Sequence, residues 1–182
     1  MGGSGGANRR AAGGGEPGVI AMKAATADLS DANPQAQIAE PLFRDFGAST
    51  AFQGPVATAK VFEDNALVRA LLEEPGAGRV LVVDGGGSMR CALVGGNLAK
   101  LGVDNGWHGL IVFGCIRDSD EIRSLPIGVK ALATHPRKSE KGLHAGHRDR
   151  PVTFAGVTFR SGQWVYADAD GILLSEVPLK TS

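Results

Sequence analysis

Apolar positions along the chain alternate between a helical spacing and short runs of β-branched residues. The clearest helical stretch starts at Asp64: Leu67, Val68, Leu71 and Leu72 fall on one face, Arg69, Glu73 and Glu74 turn away, and Pro75-Gly76 ends the pattern. Ala25 to Asn33 predicts a short helix halted by Pro34, and the diglycine Gly95-Gly96 opens another helix. Arg79 to Asp84, Gly109 to Phe113 and Ile127 to Ala133 are apolar runs of strand length, which reads as burial on both faces. Gly54-Pro55 predicts a turn into a strand over Val56 to Phe62. Pro41 to Ser49 reads as irregular chain anchored by Phe43 and Phe46. Near the end, Val152 to Phe154, Val157 to Phe159, Trp164 to Tyr166 and Ile172 to Leu174 are short strands parted by Gly156, Ser161-Gly162 and Asp168 to Gly171, a compact antiparallel unit. Helices among strands followed by a β-rich half point to an α/β fold, a single layered domain with mixed β-sheets and not a doubly wound nucleotide fold.

Composition narrows this picture. With 182 residues, 43% of them hydrophobic and 21% charged, the chain suits one core and one domain, over residues 22–182. Residues 1–21 are so rich in glycine that they read as a flexible segment appended ahead of a natural start at Met22. Lys+Arg and Asp+Glu number 19 each, so no global charge draws the chain to DNA, RNA or a membrane, and an acidic ligand must be caught locally. No run has the length of a membrane span, and the N-terminus lacks the apolar core of a signal peptide. Cys91 and Cys115 sit in or beside apolar runs without metal-ligand spacing, which predicts reduced, buried thiols and a cytoplasmic protein. His135 to Arg150 is basic and nearly free of apolar residues, so an exposed loop is expected. His144 and His147 within it lack a third ligand at a diagnostic spacing, and no aromatic residues interleave as single-strand binders require.

Candidate chemistry concentrates between Gly95 and Glu121. The first N–H groups of the helix opened by Gly95-Gly96 lack intrahelical partners and make an anion site. Arg117 can fork onto a carboxylate, and Asp118 and Glu121 can share one face of a turn to hold a hard cation. Asp118 and Glu121 equally fit a capping box that opens a short helix at Ser119, with Arg117 paired to a surface acid. Charged residues directly after an apolar strand and a glycine sit where α/β proteins gather ligands. Gly85-Gly86-Gly87-Ser88 is not a phosphate loop: the dinucleotide fingerprint needs glycine where Arg90 stands, and no Gly-Lys-Ser/Thr ending follows. Asp84 and Arg90 flank that loop and either shape a pocket or form a surface ion pair.

Several motifs together carry a family resemblance. Gly54-Pro55-Val56-Ala57-Thr58, Asp64-Asn65, Val82-Val83-Asp84-Gly85-Gly86-Gly87, Gly95-Gly96-Asn97-Leu98-Ala99, Gly114-Cys115-Ile116-Arg117-Asp118 and Tyr166-Ala167-Asp168-Ala169-Asp170-Gly171-Ile172 resemble the regulator of ribonuclease activity A (RraA-like) family over about residues 25–177. The resemblance implies a fold like the swivelling phosphohistidine (β/β/α) domain, assembled as a homotrimer or dimer of trimers with sites between subunits. It implies a class II aldolase that cleaves 4-hydroxy-4-methyl-2-oxoglutarate to pyruvate and decarboxylates oxaloacetate through a shared pyruvate enolate, or a non-catalytic inhibitor of an RNA-degrading endonuclease. Arg117 matches the family arginine on the pyruvyl part of the substrate, Asp118 its metal-binding aspartate, and Gly95, Gly96, Asn97 and Leu98 the loop that offers N–H groups to the substrate. The implied cofactor is a divalent cation, magnesium or manganese. Where the well-studied bacterial aldolases carry aspartate this chain has Gly96; with Arg117, Asp118 and Glu121 it fits a second version of the pattern, in which Glu121 stands in for the missing acid near the metal. Lys100 is the only lysine in the central stretch, which disfavours a Schiff base.

Overall fold

The computed structural model describes residues 22–181, so the flexible segment expected over residues 1–21 lies outside the described residues. In chain order the elements are α1 (Thr26–Ala32), β1 (Gln37–Ile38), β2 (Arg44–Asp45), β3 (Phe52–Lys60), α2 (Ala66–Glu73), β4 (Val80–Asp84), β5 (Ala92–Val94), α3 (Gly96–Asp104), β6 (Gly109–Ile116), α4 (Ser119–Ile122), β7 (Gly128–Thr134), β8 (His147–Arg148), β9 (Val152–Phe154), β10 (Val157–Phe159), β11 (Trp164–Ala167) and β12 (Ile172–Ser175). The main sheet is mixed and runs β1-β12-β11-β3-β4-β6-β7-β2, with β5 on β6 and β8 on β3, while β9 and β10 form a separate hairpin. β3, β4, β6 and β7 are mutually parallel; β11 and β8 pair antiparallel with β3 and β2 with β7, and beyond β11 the strands β12 and β1 each pair antiparallel with the one before.

The twofold alternation of side chains along a strand explains why the central runs are apolar throughout. Leu81 and Val83 of β4, with Leu110 and Val112 of β6, face a core shared with Val68, Leu71 and Leu72 of α2, Leu98 and Ala99 of α3 and Ile122 of α4. Their neighbours Val80, Val82 and Ile111 face the other way, onto Val152, Phe154, Val157 and Phe159 of the hairpin. Phe154 stacks on Phe113 and on Phe159 at 4.8 Å each. The layers therefore read hairpin, sheet, helices, and each fully buried Leu, Ile or Phe contributes about 1.5–3 kcal/mol of transfer free energy. Cys91 and Cys115 are free and buried as expected, and burial pushes both thiols above their ordinary pKa. No helix among the described residues is long and apolar enough to cross a membrane.

Three sequence expectations change. Gly54-Pro55 is not a turn but part of the nine-residue strand β3, where Gly54 pairs with Val165 and Pro55 with Trp164. Val56 donates to the Gln163 carbonyl on the β11 side, so the missing N–H of Pro55 faces the other side, where the ladder to β4 starts only at Val56. The Pro41 to Ser49 segment contains β2, pinned to β7 by an ion pair between Asp45 and the buried Lys130 at 2.9 Å as well as by its phenylalanines. The basic loop is exposed over most of its length, yet it contributes β8 and buries Ser139.

Candidate functional site

The C-terminal ends of β5 and β6 release the two segments singled out above side by side. β5 pairs in parallel with β6 through Ala92↔Cys115 and Val94↔Ile116, and the Arg117 N–H donates to the Val94 carbonyl at 2.9 Å. Directly beyond, Gly95 caps α3 while Asp118 precedes α4. The two segments touch closely at both glycines. A Cβ built on Gly95 would meet Asp118 Oδ2 at 2.8 Å and the Arg117 side chain at 3.4 Å. A Cβ on Gly96 would overlap the carboxylate group of Glu121. The acid at position 121 thus occupies the space into which any side chain at position 96 would grow.

Asp118 does not cap α4. Its backbone is left-handed (φ 57°, ψ 42°), its side chain makes no capping hydrogen bond to α4, and its Oδ2 instead accepts the Gly96 N–H at 3.0 Å. Aspartate tolerates that conformation better than most residues. The bond aims a carboxylate across the mouth of α3 and takes up the first of that helix's free N–H groups. α3 has no side-chain cap, so the N–H groups of Asn97 and Leu98 remain available. Both residues line a polar recess of about 90 Å³ together with Gly95, Arg117 and Asp118. Gly96 and Glu121 are not among its lining residues; they lie against each other beside it. Arg117 is half-buried and enters no ion pair among the described residues. A guanidinium, two backbone N–H groups and a carboxylate therefore converge on one small cavity.

The opposite wall was not legible as a site. Asn65 and Arg69, from the start of α2, and Lys138, Ser139 and Lys141, from the loop after β7, complete the lining. Asn65 Nδ2 donates to the Leu93 carbonyl at 3.0 Å, which fixes its amide orientation and leaves Oδ1 buried without a partner. Ser139 Oγ is likewise buried and unpaired. Buried polar atoms in a folded protein ordinarily find partners, so two orphans on one wall mark a place where ligand or water completes the bonding. Asp64-Asn65 is among the motifs quoted above and the loop is basic in character, but neither signal says what it packs against.

Other candidates lie elsewhere. Arg90 pairs with Glu63 at 2.6 Å, the surface ion pair of the two readings offered for it. Asp84 holds the Gly86 N–H at 2.9 Å and lines a separate recess with Lys60, Phe62, His144 and His147.

A divalent cation fits Asp118 and Glu121 by the chemistry of the donors. Both are hard carboxylate oxygens, both side chains are exposed, and the Gly96 N–H occupies only one lone-pair site of Asp118. Among the described residues no group of three or more His, Cys, Asp or Glu side chains gathers. A hard cation of the magnesium type keeps several waters and binds through one or two carboxylates plus substrate oxygens.

Known proteins resemble this chain over most of its length. The RraA-like family model, described as aldolase/RraA, matches residues 26–174. A Deinococcus radiodurans protein named as a candidate 4-hydroxy-4-methyl-2-oxoglutarate aldolase is 61% identical over 149 residues, covering 82% of this chain and 92% of its own. Among solved structures, the RNA-processing inhibitor RraA of Thermus thermophilis superposes with a TM-score of 0.83 at 50% identity, over 86% of this chain and 95% of that one. A Geobacillus kaustophilus protein titled S-adenosylmethionine:2-dimethylmenaquinone methyltransferase gives 0.82 at 47% identity, over 87% of this chain and all of that one.

Proposed function

Because the chain belongs to the RraA-like family, we propose that it is a metal-dependent carbon–carbon lyase. In this reading it cleaves 4-hydroxy-4-methyl-2-oxoglutarate to two pyruvates and decarboxylates oxaloacetate. The observation that carries the reading is the unpaired Arg117 guanidinium beside the free N–H groups of Asn97 and Leu98, facing the Asp118 carboxylate in one polar recess. A recess of about 90 Å³ suits a small keto acid, whereas cofactor-sized ligands need pockets of about 300 Å³ or more, which disfavours an adenosyl methyl donor.

Arg117 forks onto the carboxylate of the pyruvyl half. The Asn97 and Leu98 N–H groups meet the C2 oxygen as it gains negative charge. In both reactions the C3–C4 bond breaks and its electron pair moves into the C2–C3 enolate, leaving carbon dioxide or a second pyruvate; C3 then takes a proton from water. Asp118 and Glu121 would hold the magnesium or manganese ion, which supplies Lewis-acid polarisation of the 2-keto acid. On the far wall Lys138, Lys141 and Arg69 attract the second carboxylate, Ser139 Oγ donates to it, and the orphaned Asn65 Oδ1 accepts from a substrate hydroxyl or a water. Retro-aldol cleavage also needs an acceptor for the C4 hydroxyl proton, which decarboxylation does not. With Gly96 in place of an acid, decarboxylation is the easier reaction for this chain.

The same reading, with the family resemblance, makes the protein a homotrimer or dimer of trimers, and its free, buried thiols are in keeping with a cytoplasmic setting. The hairpin, sheet and helix layering supports the likeness to the swivelling phosphohistidine domain. The rival function, a non-catalytic regulator of an RNA-degrading endonuclease, draws support from the Thermus neighbour. It gives no reason for an unpaired arginine and a carboxylate to share a recess. Purified protein incubated with oxaloacetate and manganese should release pyruvate, with loss of release on chelation. Release that persists through chelation and in Arg117→Ala would contradict the reading.

A further inference from the structure

The wall formed by Lys138, Ser139 and Lys141 belongs to a mostly exposed loop, and few bonds hold it. Ala92 pairs with both Arg137 and Ser139 at 2.8 and 3.1 Å, Glu140 donates to the Glu63 carbonyl at 2.9 Å, and Asn65 donates to the Glu140 carbonyl at 3.3 Å. From Lys141 to Gly146 no further backbone-to-backbone bond ties the chain down among the described residues. A single side chain does so instead. Asp64 Oδ2 accepts the N–H groups of Leu143 at 2.7 Å and His144 at 3.0 Å, while Oδ1 accepts the Ala66 N–H at 2.9 Å.

Asp64 is 1% exposed and has no cationic partner among the described residues. A buried carboxylate without a counter-ion is costly unless hydrogen bonds solvate it. Burial pushes its pKa up, but the N–H groups of Ala66, His144, Leu143 and Gly142 outweigh that and hold it below the ordinary aspartate range. Serine would serve the turn at Ala66 without burying a charge. Only a group with two oxygens and the reach of a carboxylate serves both segments.

We propose that Asp64 is a positioning residue for the distal half of the substrate: it ties the start of α2 to the loop of Lys138, Ser139 and Lys141 and so fixes the far wall opposite Arg117. This rests on the keto-acid reading of the recess. Asp64→Ser keeps a bond to Ala66 and releases Leu143 and His144. Oxaloacetate carries a distal carboxylate, and pyruvate, used as a competitive inhibitor, does not. The variant should raise the oxaloacetate KM about tenfold or more while leaving the pyruvate inhibition constant within about twofold. Equal rises in both constants, or no rise in either, overturn the proposal. Trypsin cleavage after Lys138 and Lys141 gives a readout independent of catalysis. It should be faster in Asp64→Ser than in wild type at unchanged Tm, and unchanged protection overturns the clamp. If wild-type protein turns over no 2-keto acid, the keto-acid reading fails and the proteolysis result alone decides whether Asp64 clamps the loop. Asp64→Asn, which keeps the size and one oxygen, decides the matter where Asp64→Ser does not fold: intermediate values support the clamp and wild-type values overturn it.

Discussion

Gly96→Ala isolates the contact between Gly96 and Glu121. The added methyl would overlap the Glu121 carboxylate, and Glu121 is the exposed, flexible partner, so the acid swings away and the backbone stays. Gly96 opens α3 and is not among the residues with positive φ, so alanine is compatible with its backbone and stabilises the helix by about 0.4–1 kcal/mol. The displaced glutamate forfeits at most about 1 kcal/mol of surface interaction. Stability should therefore change by less than about 1 kcal/mol, a few degrees in Tm. Metal affinity should fall about 10–100-fold, as when a supporting carboxylate is removed from a metal site. Isothermal titration with manganese, alongside thermal melts, reads both. Because Gly96→Ala and Glu121→Ala remove the same carboxylate from the same place, the double variant should lose no more than either single one. Additive losses, or full manganese affinity in Gly96→Ala, would refute the argument that Glu121 serves the metal from its seat against Gly96.

Asp118→Asn keeps the left-handed backbone and the acceptor for the Gly96 N–H but removes the charge, so it should fold normally and lose metal-dependent oxaloacetate decarboxylation; circular dichroism and pyruvate release check both halves. Arg117→Ala should lower kcat/KM by about 100-fold or more, and Arg117→Lys should recover only part of it because a point charge does not fork. Gly96→Asp combined with Glu121→Ala should raise aldol cleavage relative to decarboxylation, since it returns an acid able to take the C4 hydroxyl proton; the ratio of the two rates with each substrate measures this. Burial pushes the Asp168 carboxyl up, but the Thr26 hydroxyl and N–H and the Asp170 and Gly171 N–H groups outweigh it, so its folded pKa lies below the ordinary value. Its contribution is then fully present above the unfolded pKa of about 3.9 and lost as pH falls through the folded pKa. Asp168→Asn should flatten urea-derived stability against pH below about pH 4.

The sequence revealed what depends on near neighbours. Leu67, Val68, Leu71 and Leu72 announced α2 because one face of a helix must be buried, and Val80 to Val83 announced a strand because both its faces are covered. Arg117 and Asp118 were legible because they follow a buried strand at the edge where ligands gather. Readings failed where a distant segment decides the outcome. Gly54-Pro55 carries a local turn signal, but β11 and β4 pair along the strand on its two sides. Asp118 and Glu121 have capping spacing, yet Asp118 turns to the Gly96 N–H and Glu121 to the open space over the same glycine. Arg69, Lys138, Ser139 and Lys141 share no motif with Arg117; the pairing of β5 with β6, the bonds from Ala92 to Arg137 and Ser139, and those from Asn65 to the Leu93 and Glu140 carbonyls bring the segments together.

A recess that stabilises a pyruvate enolate should exchange pyruvate methyl protons with deuterated water, which tests the mechanism without any carbon–carbon bond being broken. Purified protein is incubated with manganese and pyruvate in deuterated water, aliquots are quenched and stripped of manganese before proton NMR, and the methyl signal should fall with incubation time at a rate proportional to enzyme concentration. The decay should stop on chelation and in Arg117→Ala. A folded, metal-supplied wild-type protein that leaves the methyl protons unexchanged would contradict the account.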